Sequence, residues 1–213
     1  MKLVKLLSVF FAVSFSSQLF AHPHSFVDLK NKVLVEGTKL NAFEMEWMLD
    51  EIASAELIYE VNNSADKTAT EKSITDEMTQ TAIEAHYFSY LYDAKDQPIK
   101  FSAKPRNTRF DIHGNRVVFY LTIPLSKPHD LKNNPVRFYT YEPSYYMGME
   151  YNNVQALSIN TSQCKATLTQ PQISNSLRLY ASSLDKNQSP DMPENEDNSL
   201  GAQFAQKVTV VCE

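Results

Sequence analysis

An alternating run that folds back on itself near the start of this chain commits it to β structure. From Ser25 to Val35, Phe26, Asp28 and Lys30 fall on one face and Val27, Leu29, Val33 and Val35 on the other. Glu36-Gly37-Thr38 is a tight-turn signal, and Leu40 to Met48 returns antiparallel. The period then changes. Asp50 is an N-cap candidate for a helix over 50–58 that Asn62-Asn63-Ser64 ends, and Thr75 to Ala85 has a second helical spacing. From Tyr87 short strands recur: 87–92, 98–103, 108–112, 116–123, 136–141, 154–160, 164–168 and 207–212. The expected class is α+β and mostly β: an antiparallel β-sandwich or curled sheet with two helices inserted after the first hairpin.

What precedes the first strand reads as an export signal. Lys2 and Lys5 charge its start, an apolar stretch runs from Leu6 to Phe15, and Leu19-Phe20-Ala21 ends on a small residue. The apolar stretch is too short to span a bilayer of roughly 30 Å as a helix. The expected organisation is a signal over residues 1–21 and one periplasmic domain over 22–213, with a mobile acidic loop at 182–199.

Cleavage after Ala21 makes His22 the first residue, followed by Pro23 and His24. On a strand the two histidines share a face at roughly 6.6 Å, close enough for both imidazoles to reach one ion. Pro23 has no amide proton, which closes the square-planar copper mode that needs a deprotonated second amide. Chelation by the His22 amine and ring, or by two imidazoles, stays open for zinc, nickel, cobalt or copper. The hairpin returns residues near 47–51 beside residues near 24–28, so Asp50 and Glu51 are the carboxylates expected to complete a metal site with His22 and His24. A helix cap and a first-turn acid are the competing roles for these two. Asp28 lies too far along the strand to join, and either a role supporting the ligands from behind or a structural role is expected for it. Met147 and Met149 could offer thioethers to Cu(I), or simply fill the core. Of the remaining histidines, His113 and His129 are expected in solvent, and His86 near a helix end.

The chain has Cys164 and Cys212 alone as cysteines. An oxidising compartment favours a disulfide between them, closing a loop of about 50 residues worth about 4 kcal/mol in the chain-entropy model. A two-thiolate metal site is the alternative, though the close cysteine pairs of such sites are missing.

Four glycines in 213 residues leave no GxGxxG, phosphate loop or GxSxG elbow, and no HExxH is present. A formal charge of −5 with no Lys/Arg cluster argues against nucleic acid and anionic membrane surfaces.

The leader followed by His22 to Asp28, the run Trp47 to Ser54, the aromatic strand Tyr87 to Leu91 and the segment Tyr141 to Tyr145 together resemble the bacterial domain-of-unknown-function 1007 family. The resemblance extends over nearly the whole mature chain. It implies a Gram-negative periplasmic component of an uncharacterised ABC-type transport system, working beside an inner-membrane metal permease of the nickel/cobalt type, with zinc handling proposed for some members. Phe26 stands where the family often has tryptophan, and Tyr92-Asp93-Ala94-Lys95 lacks a frequent glycine.

The reading is therefore a periplasmic accessory protein, not an enzyme, that binds zinc and assists its transport with an inner-membrane permease. Two alternatives carry different marks. A non-metal interaction module docking on a transporter requires an exposed apolar patch. A copper histidine-brace oxidase requires a third nitrogen, from His24, His86 or His113.

Overall fold

The computed structural model describes residues 23–185, 188–192 and 198–213. The expected signal over 1–21 and His22 lie outside the described residues, as do 186–187 and 193–197 of the acidic segment.

The first hairpin forms as its alternation dictates. β1 (Ser25–Glu36) pairs antiparallel with β2 (Lys39–Leu49), Val27 opposite Leu49 and Leu29 opposite Trp47. α1 (Glu51–Asn63) follows, capped by Asp50, whose side chain accepts from the Ala53 amide. α2 (Lys67–Glu84) starts well before the expected Thr75, capped by Asp66. Its first two turns, Lys67 to Ser73, are polar and carry no apolar period, so the cap is their main sequence signal.

β3 is Ser89–Tyr92, shorter than the expected 87–92. His86, Tyr87 and Phe88 take left-handed backbone angles, φ 49°, 59° and 49°, which a strand cannot contain. That conformation costs roughly 1–2 kcal/mol per residue. Burial of the Tyr87 ring and the bond from its hydroxyl to the Ser102 carbonyl at 2.6 Å offset the cost.

β4 (Arg106–His113) and β5 (Arg116–Asp130) form a second hairpin, and β6 is Val136–Thr140. β7 (Met147–Glu150), β8 (Leu157–Ile159) and β9 (Cys164–Thr169) are short. α3 (Asn175–Ser183) and α4 (Leu200–Phe204) precede β10 (Lys207–Cys212). The expected strand at 98–103 is instead an extended segment that touches the sheets through single bridges, Tyr92 with Pro98 and Phe101 with Leu125. Proline has no amide hydrogen to give a ladder. The expected strand at 154–160 survives only as β8, behind a 3-10 turn at Val154–Ala156.

The strands form two sheets. One has the order β4-β5-β2-β1-β7, with β8 also on β1, and the other β3-β6-β10-β9. The class is the expected one, mostly-β α+β with two helices after the first hairpin. The first sheet is mixed, however, because β7 and β8 both run parallel to β1. The inner faces meet in a shared core, where Phe43 of β2 stacks on Phe138 of β6 at 4.4 Å between ring centres. Each ring is fully buried and contributes about 1.5–3 kcal/mol. Cys164 and Cys212 stand directly opposite across β9 and β10 and form a disulfide.

The acidic segment is more ordered at its ends than composition alone implies. Ser182 and Ser183 complete α3, Leu184 and Leu200 are buried, and the Tyr180 hydroxyl accepts from the Asp191 amide at 2.6 Å. Leucines at the borders of a polar run supply the apolar anchor that the run itself lacks.

Burial pushes the Tyr151 hydroxyl up to about 12, with the Asn31 amide and Thr140 hydroxyl partly offsetting it. Burial also raises Tyr145 to about 12. The unfolded chain releases these protons near 10, the folded chain near 12, so their share of stability is whole below pH 10 and declines as pH rises to 12. Urea midpoints measured across that interval fall steeply for the natural chain and less steeply for Tyr151→Phe.

Candidate functional site

The head of β1 is held from three sides. Its antiparallel register, continued past the Val27–Leu49 pair, sets Asp50 beside Phe26, and the Asp50 amide donates to the Phe26 carbonyl at 2.9 Å. Asp50 answers with its side chain: one oxygen accepts from the Phe26 amide at 2.6 Å, the other from the Ala53 amide at 2.8 Å. The same carboxylate thus caps α1 and closes the end of the hairpin.

Arg116, the first residue of β5, provides the second hold. Its Nη1 bonds Asp28 Oδ2 at 2.7 Å, Nε the Leu49 carbonyl at 2.6 Å, and Nη2 the Met48 carbonyl at 3.0 Å. Guanidinium geometry suits this fork, since three donors leave one plane in fixed directions. Asp28 therefore has a structural partner. Nothing in the sequence marks Arg116, because its three partners come from distant segments.

The third hold is the turn after β6. Glu142 folds it by accepting from the Ser144 amide at 2.8 Å, the Ser144 hydroxyl at 2.7 Å and the Tyr146 amide at 2.8 Å. The Tyr146 carbonyl, so placed, accepts from the His24 amide at 2.8 Å, and the two rings lie 5.0 Å apart. Tyr145 stacks on Phe204 of α4 at 4.1 Å. Gly201 makes this approach possible: a Cβ there would stand 1.9 Å from the Glu142 carbonyl oxygen. At Gly148 a Cβ would meet Pro23 at 3.0 Å and the Phe26 ring at 3.2 Å. The aromatic run Tyr141 to Tyr146 is a turn built on the one acid it contains, Glu142.

Of the expected metal-site residues, His24 is half-buried at the strand head, Asp50 bonds two backbone amides, and Glu51 is exposed in the first turn of α1. His22 lies outside the described residues. No three His, Cys, Asp or Glu side chains among the described residues gather around one point. His24 is thus the one imidazole the described chain brings to the expected site, and a metal there depends on His22 beside it. Elsewhere, His86 and His113 are exposed. His129 is half-buried rather than in open solvent, its Nε2 3.0 Å from the Asn134 amide. Met149 is a core residue.

Removing the Asp50 carboxylate separates these roles. Asp50→Ala loses a helix cap, worth about 1 kcal/mol, and strands the Phe26 amide as well. Urea unfolding of Asp50→Ala is expected to show a loss of about 1–2 kcal/mol, with Asp50→Asn recovering the cap portion.

Among known proteins, an uncharacterized protein of Haemophilus influenzae is 36% identical over 212 residues, covering 99% of this chain and 100% of that one. Residues 7–212 match the family described as a protein of unknown function, DUF1007. With a match that includes both the strand-head residues and the turn that seats them, the chain belongs to the DUF1007 family.

Proposed function

We propose that this is an exported, non-catalytic accessory protein that takes up a divalent transition metal at the head of β1 and passes it to an inner-membrane permease. Zinc is the favoured cargo, with nickel, cobalt and copper as alternatives. The observation that carries the reading is the seating of His24. Its amide is bonded to the Tyr146 carbonyl and its ring lies against Tyr146, so the imidazole has little freedom left to lose on ligation. The adjoining carboxylates narrow the ligand set. Asp28 is held by Arg116 and Asp50 by two amides, which leaves exposed Glu51 as the acid to join His22 and His24.

Two features support export to the periplasm. The disulfide Cys164–Cys212 belongs to an oxidising compartment. Residues 1–21 have the order of a cleaved signal, which frees His22 as an amine-bearing first residue. No helix among the described residues is long and apolar enough to cross a membrane.

A second reading, a docking module without metal, is favoured by one observation. Phe26 and Tyr146 are each 50% exposed and Ile52 is 85% exposed, all near the strand head. Exposed apolar groups gathered in this way mark contact surfaces.

Calorimetric titration of the mature protein with zinc distinguishes the two. The metal reading expects one zinc per chain, binding more than about 100-fold weaker in His22→Ala/His24→Ala and roughly 10-fold weaker in Glu51→Gln. Equal affinity in the natural chain and the double variant removes it.

A further inference from the structure

The inner face of β1 carries an amide where its neighbours carry leucine and valine. Asn31, 2% exposed, sits between Leu29 and Val33 in the middle of the sandwich. Its Nδ2 donates to the Tyr151 hydroxyl at 3.4 Å. From β6, on the opposite sheet, Thr140 brings its hydroxyl near the same phenol and is 1% exposed. By hydrogen-bond geometry neither Asn31 Oδ1 nor Thr140 Oγ1 has a partner within the protein, although the Thr140 hydroxyl lies close enough to the phenol to hold its rise in pKa back.

Two orphaned oxygens buried beside one phenol form a demanding arrangement. Each unsatisfied group has given up its bonds to water without replacement. Exchanging the oxygen and nitrogen of the amide does not cure this, because the other end of the amide is then orphaned. The groups have the complement a bound water needs: an amide oxygen that accepts, and two hydroxyls that both donate and accept.

We propose that Asn31, Thr140 and Tyr151 form an internal hydration site holding one water between the two sheets. The water donates to Asn31 Oδ1 and shares a hydrogen bond with Thr140 Oγ1, and the Tyr151 phenol closes the ring of partners. This link is satisfied at one relative setting of the sheets, so it fixes how β1 faces β6 in a way that apolar contact does not. The phenol is itself fixed. Gln206 brackets the Tyr151 backbone, accepting from its amide at 2.6 Å and donating to its carbonyl at 3.0 Å, and its amide also donates to Gln170 at 3.0 Å. Tyr151 directly follows β7, the strand laid along the head of β1, so the hydration site also sets where β7 lies.

The test is a high-resolution crystal structure of the mature protein and of Asn31→Leu/Thr140→Val, joined to solution NMR for long-lived water beside the Asn31 side-chain amide. Expected in the natural chain is one ordered water within about 2.7–3.2 Å of both oxygens, with a water cross-peak to that amide. In the double variant both signals disappear. A natural-chain map with no water there, Asn31 Oδ1 and Thr140 Oγ1 bonded directly to each other or to other protein groups, overturns the proposal. So does a missing cross-peak. Both readouts on the natural chain stand even if the double variant fails to fold.

Discussion

β1 is bonded along both edges, and the rest of the structure depends on that arrangement. β2 pairs along one side, and β7 and β8 along the other. A strand so placed cannot slip by one residue without turning Val27, Leu29 and Val33 from the core into solvent. The register at its head therefore follows from the core several residues away. His24 inherits its position from Leu29 against Trp47 and from Phe43 against Phe138.

Polar groups finish what apolar contact begins. Asp50 joins the hairpin end to the start of α1, Arg116 joins β1 to β2 and β5, and Glu142 folds the turn that receives the His24 amide. Each is a charged group with several backbone or side-chain partners, which is how such groups stay part-buried without a large desolvation penalty. The consequence for chemistry is direct. Asp28 and Asp50 both have structural partners, so closeness in the hairpin is accounted for by architecture at these two acids.

What the sequence made legible follows the range of the interaction. The first hairpin was readable because alternation and the turn at Glu36-Gly37-Thr38 are both local. The start of α1 was readable because a cap acts within four residues, and the cysteine pair was expected as a disulfide over a two-thiolate metal site because the close cysteine spacing of such sites is missing. The second role of Asp50, its grip on the Phe26 amide, was not readable, since the partner lies 24 residues back. β7 escaped notice for the same reason: four residues pair in parallel with a strand more than a hundred positions away. The need for glycine at 201 arises only when α4 meets the Glu142 turn. Within the candidate site, the residues at the hairpin end were named from sequence. Arg116, which holds them in place, was not, and the holding roles of Glu142 and Tyr146 were not readable either.

Amide hydrogen exchange at His24 and Phe26 tests the claim that the strand head is rigidly seated before any ligand arrives. Both amides have assigned acceptors, the Tyr146 carbonyl and the Asp50 carboxylate. The account predicts strong protection at both positions in the protein without added ligand, with Phe26 protection lost selectively in Asp50→Asn. Exchange at both amides as fast as in an unstructured peptide would contradict it.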